Sequence, residues 1–135
     1  MKEDIVNKEN LSQELLQSLF DQAFLDVNVN EDGDLYIQDR WKIWIDLDES
    51  GRYIAYRMYF ALTEDSTPED RLDYVNSMNN DFILIKTVAH KDYVSFSYFL
   101  WVEGGVTTKN IIMAYRIFLS VVEQALAEDK KGIFG

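Results

Sequence analysis

The sequence predicts an α+β fold: a single-domain α-β-β-β-α-β-β-α sandwich with a mostly antiparallel sheet and helices on one face. Three observations carry this. Segments whose apolar residues recur at helical spacing stand first, in the middle and last. Between them lie runs that alternate apolar and polar residues or are rich in aromatics, the mark of half-buried strands. Short turns link the strands within each run, which favours antiparallel pairing. The 135 residues have the size of one domain, and size scaling buries about two-thirds of the extended surface, enough for a core without staples.

Residues 1–9 are polar and read as a flexible tail, as do residues 129–135. A helix is expected over 11–24, with Leu15, Leu16, Leu19, Phe20 and Ala23 on one face. Asn10 stands where a cap would, with Gln13 three residues on. Val27 and Val29 alternate with polar neighbours in a strand over 26–30. Glu31-Asp32-Gly33-Asp34 turns the chain, Gly33 supplying the positive φ. A strand region over 35–48 shows a break near Gln38-Asp39-Arg40. Glu49-Ser50-Gly51-Arg52 turns it into an aromatic strand over 53–62.

Thr67-Pro68-Glu69-Asp70 is the strongest helix start. It offers a capping hydroxyl, a proline where no N–H is needed, and two acids at the positive end of the dipole. That helix turns Leu72, Val75 and Met78 inward and ends near Asn79-Asn80. Strands over 82–89 and 93–102 are joined by His90-Lys91-Asp92. Gly104-Gly105 breaks the chain, Thr107 caps, and a last helix runs to residue 128. From Ile111 to Ala127 only Arg116, Ser120, Glu123 and Gln124 are polar, and they form one narrow stripe. A surface helix usually buries a narrower apolar face, so this one is expected to pack on its own sheet and on something else.

Strand alternation sorts the sheet residues into two faces. Ile43, Ile45 and Leu47, then Ile54, Tyr56, Met58, Phe60 and Leu62, then Val94, Phe96, Tyr98, Leu100 and Val102 read as the helix-covered core. The opposite face, which should be polar if it met only water, carries Trp44, Tyr53, Tyr59, Tyr93, Phe99 and Trp101, with Lys42, Arg57, Ser95 and Ser97 among them. Aromatics interleaved with a few polar groups are what interfaces enrich. Trp44, Arg57, Tyr59, Phe99 and Trp101 are the candidate partner-binding residues.

Chemistry is sparse. Asn28-x-Asn30-x-Asp32-Gly33 and Asp46-x-Asp48-x-Ser50-Gly51 resemble the start of calcium loops, but their twelfth positions hold Asp39 and Arg57 where a bidentate Glu is needed. Hairpin turns explain both. His90 is the only histidine and lacks the second ligand of a zinc site. No serine lies in a nucleophile elbow. Asp46 and Asp48 are the acids nearest to an apolar strand setting, and an enzyme using them is the weakest reading. Asn76 and Asn79 are neighbours at i, i+3. With Gly104 and Gly105 before the last helix they form a candidate ligand or structural motif. No catalytic residue, metal or cofactor is expected.

The net charge of −11 with 13 scattered basic residues argues against nucleic acid, which needs a concentrated positive patch. No run approaches the length of a membrane span, and no apolar run opens the chain as a signal peptide would. The absence of cysteine suits the cytoplasm.

Val75-Asn76-Ser77-Met78-Asn79, two strands, then Gly104-Gly105-Val106-Thr107 with Asn110 and an apolar helix resemble the YbjN family, as does Asp32-Gly33-Asp34 before a strand. The resemblance covers residues 11–126. Its members are bacterial proteins described as sensory transduction regulators, with a fold similar to the type III secretion chaperones. Those chaperones are small, acidic, usually dimeric, and bind extended segments of other proteins. The resemblance implies a non-enzymatic role, with Asn76 and Asn79 as pattern positions rather than site residues. The expected function is a protein-binding module, a sensory transduction regulator or chaperone-like adaptor, homodimeric and cytoplasmic, with a protein or peptide partner. The alternative is a small-ligand sensor with a pocket between sheet and helices.

Overall fold

A computed structural model describes residues 4–135. The elements are β1 (Ile5–Val6), α1 (Gln13–Gln22), β2 (Val27–Val29), β3 (Leu35–Gln38), β4 (Lys42–Leu47), β5 (Tyr53–Ala61), α2 (Pro68–Asp81), β6 (Lys86–Ala89), β7 (Tyr93–Trp101), β8 (Val106–Thr107) and α3 (Thr108–Ala127). Six strands form a sheet in the order β2-β3-β4-β5-β7-β6, and β1 pairs with β8 apart from it. The fold is mixed α+β with antiparallel sheets, as the sequence predicts.

The expected strand region 35–48 is two strands. Asp39 donates its N–H to the Trp41 carbonyl at 3.0 Å, and the chain folds back there. Leu35 then faces Ile45 and Ile37 faces Ile43, so the four aliphatics cover one another instead of lying along a single ribbon.

The chain packs as two compact units. One holds the chain up to Arg57 with Phe99–Arg116, the other Met58–Tyr98 with Ile117–Gly135. In the first, α1 begins at Ser12, whose Oγ accepts the Leu15 N–H at 3.1 Å. The expected cap Asn10 instead braces the turn before the helix, accepting from the Asn7 N–H and donating to the Ile5 carbonyl. The helix ends with Phe24 in the left-handed region, φ 65°, and Leu25 N–H bonding back to Phe20 O. Glycine usually fills that position. Leu16 and Phe20 enter the core with Leu35, Ile37, Ile43, Ile45, Ile54 and Tyr56. The Tyr56 hydroxyl donates to the Ile111 carbonyl at 2.9 Å, bolting β5 to α3. Tyr115 packs on Phe20 and donates to Asp39 Oδ2 at 3.0 Å.

Of the flexible tail expected over 1–9, residues 1–3 lie outside the described residues, and the rest holds the strand β1. Ile5 and Val6 pair with Thr107 and Val106, and Val6 is buried. Gly105, at φ 102°, allows this approach: a Cβ there would lie 3.1 Å from Ile5 Cγ2. Thr107 caps α3 as expected, its Oγ1 accepting the Asn110 N–H at 3.1 Å.

In the second unit, Thr67 Oγ1 accepts the Asp70 N–H at 3.1 Å and Pro68 takes the first turn. Of the expected stripe Leu72-Val75-Met78, Met78 is buried and Val75 half-buried, but Leu72 is exposed and Tyr74 faces inward instead. The rotation buries a larger ring whose hydroxyl finds a partner, the Ala125 carbonyl at 2.6 Å. Arg71 fastens the preceding turn through Thr63 O and Ser66 Oγ.

Residues 129–135, expected as a free tail, are also seated. Asp129 accepts the N–H groups of Ile133 and Phe134. Ile133 is 1% exposed, and Phe134 bridges to Leu62.

Candidate functional site

Opposite the core face of the first unit lies a band of rings and cations. Tyr36 faces Trp44 across the β3–β4 pair, ring centroids 5.1 Å apart, and the Lys42 ammonium sits over both rings at 4.9 and 5.9 Å. Trp44 faces Arg57 in the β4–β5 pair. The Arg57 guanidinium lies 5.2 Å from the Phe99 centroid and bonds Asp46 at 2.9 Å. Tyr53 meets Phe99 edge-on at 5.5 Å and stacks on Trp101 at 5.8 Å. Arg52 covers Trp101 at 5.7 Å and bonds Asp48 at 2.7 Å. Cation–ring contacts at exposed sites contribute about 0.5–1 kcal/mol each, so they order the rings more than they stabilise the fold. Trp101 is 55% exposed and Phe99 38%.

The structure thus links Trp44, Arg57, Phe99 and Trp101 in one unit. Tyr59 belongs to the other. It is 47% exposed and meets Tyr93 edge-on at 5.7 Å, and Tyr93 in turn stacks on His90 at 4.3 Å. Sequence reasoning missed Tyr36 and Arg52. Tyr36 alternates with Leu35 and Ile37, but the break near residues 38–40 does not by itself say that the chain folds back there and sets Tyr36 beside Trp44. Arg52 read as a turn residue.

The two strand acids are counter-ions. Asp46 accepts from Arg57. Asp48 accepts from Arg52, which holds its carboxyl below the ordinary carboxylate range, so Asp48 is not poised as an acid at neutral pH. His90 Nε2 lies 3.0 Å from Ser95 Oγ on an exposed hairpin. Among the described residues no carboxylate bonds its other ring nitrogen, so the orienting member of a catalytic triad is absent from this pair. The two turns that resemble calcium loops are closed by their own side chains: Asn30 Oδ1 accepts from Asp32 and Asp34, and Asp48 accepts from the Arg52 N–H.

The candidate ligand motif divides between the units. Asn79 donates to Thr87 O at 2.9 Å and accepts the Thr87 N–H at 2.8 Å. It thereby closes the backbone of β6, a strand at the sheet's edge, as a neighbouring strand would. Asn76 is exposed beside it. Gly104 and Gly105 belong to the first unit, where Gly105 lets β8 meet β1, while a Cβ at Gly104 would meet no neighbour. A cavity of about 160 Å³ opens along α2, lined by residues including Asp70, Tyr74, Met78, Lys131 and Ile133 and by none of these four.

The last helix buries Ile111, Ala114, Tyr115, Phe118, Val122 and Ala125. It leaves Met113 and Ile117 exposed beside the polar stripe, so part of its apolar circumference meets solvent. It is long and apolar enough to cross a bilayer by length and composition, but its buried face is that of a core helix.

No protein-family model matches the sequence, and no curated protein matches it. Among solved structures, the chain is similar to one described as "Crystal structure of YbjN, a putative transcription regulator from E. coli". The TM-score is 0.79, covering 93% of this chain and 96% of that one at 13% identity. At such identity the likeness is one of fold. The chain has the YbjN-like α+β fold that its sequence resemblance implies.

Proposed function

We propose that the chain is a non-enzymatic protein-binding module, a regulator or adaptor, that engages another protein chain through the outer face of its sheet. The single observation that carries this is the exposed, ordered ring pair Phe99–Trp101, backed by Tyr53 and held by Arg52 and Arg57. Large apolar rings left in water but fixed in place match the centre of a protein interface. Arg52 and Arg57 are each paired with a carboxylate, so this part of the face is close to neutral. That suits a protein segment better than a phosphate backbone. The solved YbjN structure, described as a regulator, supports the same class of role. A homodimer through this face, in the cytoplasm and apart from the membrane, belongs to the reading.

Sedimentation equilibrium of the wild type, Trp101→Glu and Tyr59→Glu tests it. Expected is a wild-type dimer whose dissociation constant rises at least about tenfold in Trp101→Glu, with an unchanged urea midpoint. Unfolding of Trp101→Glu would place that ring in the core. An unaltered dimer would remove the face from the interface.

A further inference from the structure

We propose that the seat of residues 129–135 is a second docking site, for an extended segment of another protein bearing a lysine or arginine two residues before an aliphatic–aromatic pair. The chain's own segment occupies the site as an exchangeable stand-in. The occupant's chemistry is that of the segment seated there. Lys131 reaches Asp70 at 3.1 Å. Ile133 is buried. Phe134 meets Tyr74 edge-on at 5.2 Å and Phe60 at 6.0 Å. Between these anchors the backbone extends the end of β5: Thr63 N–H donates to Ile133 O at 2.8 Å, and Gly135 N–H to Ala61 O at 3.3 Å. This is strand addition over a very short span, in which backbone bonds hold the segment and side-chain pockets select it.

Three observations favour exchange. The seat is larger than its occupant, since the cavity of about 160 Å³ stays open beside Ile133, against Tyr74 and Met78. The attachments are few, and the Lys131 side chain is 62% exposed, so its ion pair is screened. Segments with few protected backbone bonds open locally without global unfolding. The rim outside the segment is acidic, with Asp70, Asp73 and Glu128 around the cavity, which complements a basic residue on the incoming segment.

The probe is a fluorescein-labelled peptide, Lys-Lys-Gly-Ile-Phe-Gly, titrated by anisotropy into the full chain and into full-length Phe134→Ala. Phe134→Ala, whose own segment is loosened, is expected to bind the peptide at least about tenfold more tightly than the wild type. A peptide with alanine in place of phenylalanine is expected to lose that binding. Hydrogen exchange on the wild type decides the matter should Phe134→Ala fail to fold. The Thr63 amide is expected to exchange at least about a hundredfold faster than the Phe96 amide in β7, through local opening. A Thr63 amide as protected as that of Phe96 overturns the proposal. So does a folded Phe134→Ala chain that ignores the peptide.

Discussion

Tyr53 and Tyr56 lie three residues apart in β5 and serve opposite ends. Tyr56 is fully buried, and its hydroxyl reaches the Ile111 carbonyl in α3. Tyr53 is half-buried, stacked on Trp101 and edge-on to Phe99, on the face that carries the exposed rings. One ring joins a strand to a helix, while the other supports a surface. Aromatic content therefore does not mark a binding face in this chain. The distinguishing feature is where the polar tip goes. The buried phenols of Tyr56, Tyr74 and Tyr115 all donate to a carbonyl or carboxylate, as buried hydroxyls must. The outer rings are held instead by cations and by one another.

Truncation separates the two faces most strongly. Tyr56→Ala is expected to cost about 3–5 kcal/mol in urea unfolding, the range for emptying a buried aromatic site. Tyr53→Ala is expected to cost less than about 1 kcal/mol. Equal losses would erase the distinction between core and surface rings.

Alkaline titration sharpens it next. Burial is the main cause that pushes the Tyr74 and Tyr115 phenols well above their ordinary value of 10.0, with Asp129 and Asp39 respectively adding to it. For a group raised in this way the folded state favours the protonated form. The stability is therefore whole below pH 10.0 and is lost as pH rises through the folded value, at about 1 kcal/mol per pH unit for each phenol. Tyr115→Phe should flatten the decline by one group. A melting temperature insensitive to pH above 10.0 would show that these phenols ionise freely.

The smallest effect comes from removing a hydroxyl alone. Tyr56→Phe is expected to cost about 1 kcal/mol, the net worth of one buried hydrogen bond, and Tyr53→Phe nothing measurable. Paired urea titrations resolve the difference.

The core face was legible because strand alternation has a fixed period of two. Ile43, Ile45, Ile54, Tyr56, Met58, Val94 and Phe96 are all buried where that period puts them. The outer face was legible by the same rule, though only as a set of residues. That Trp44 faces Arg57 while Tyr59 meets Tyr93 depends on strand register and on hairpin position, which alternation leaves open. The asparagine pair was legible only as a ligand or structural motif. Asn79 has the structural part, holding the backbone of Thr87, a residue whose place at the sheet edge no local pattern declares.

By itself, the sequence determined where α2 and α3 start and which strand residues share a face. Thr67-Pro68 and Thr107 act on amides within their own first turn, and alternation follows from backbone geometry alone. Tertiary structure alone decided that Tyr36 folds back beside Trp44, that Ile5 and Val6 pair beyond Gly105, and that Ile133 is buried against α2. Each of these joins residues that no helical or strand period relates, and the gain from burying an apolar side chain does not depend on which distant partner covers it. Local periodicity names the faces to be covered, and only the folded chain supplies the covering partner.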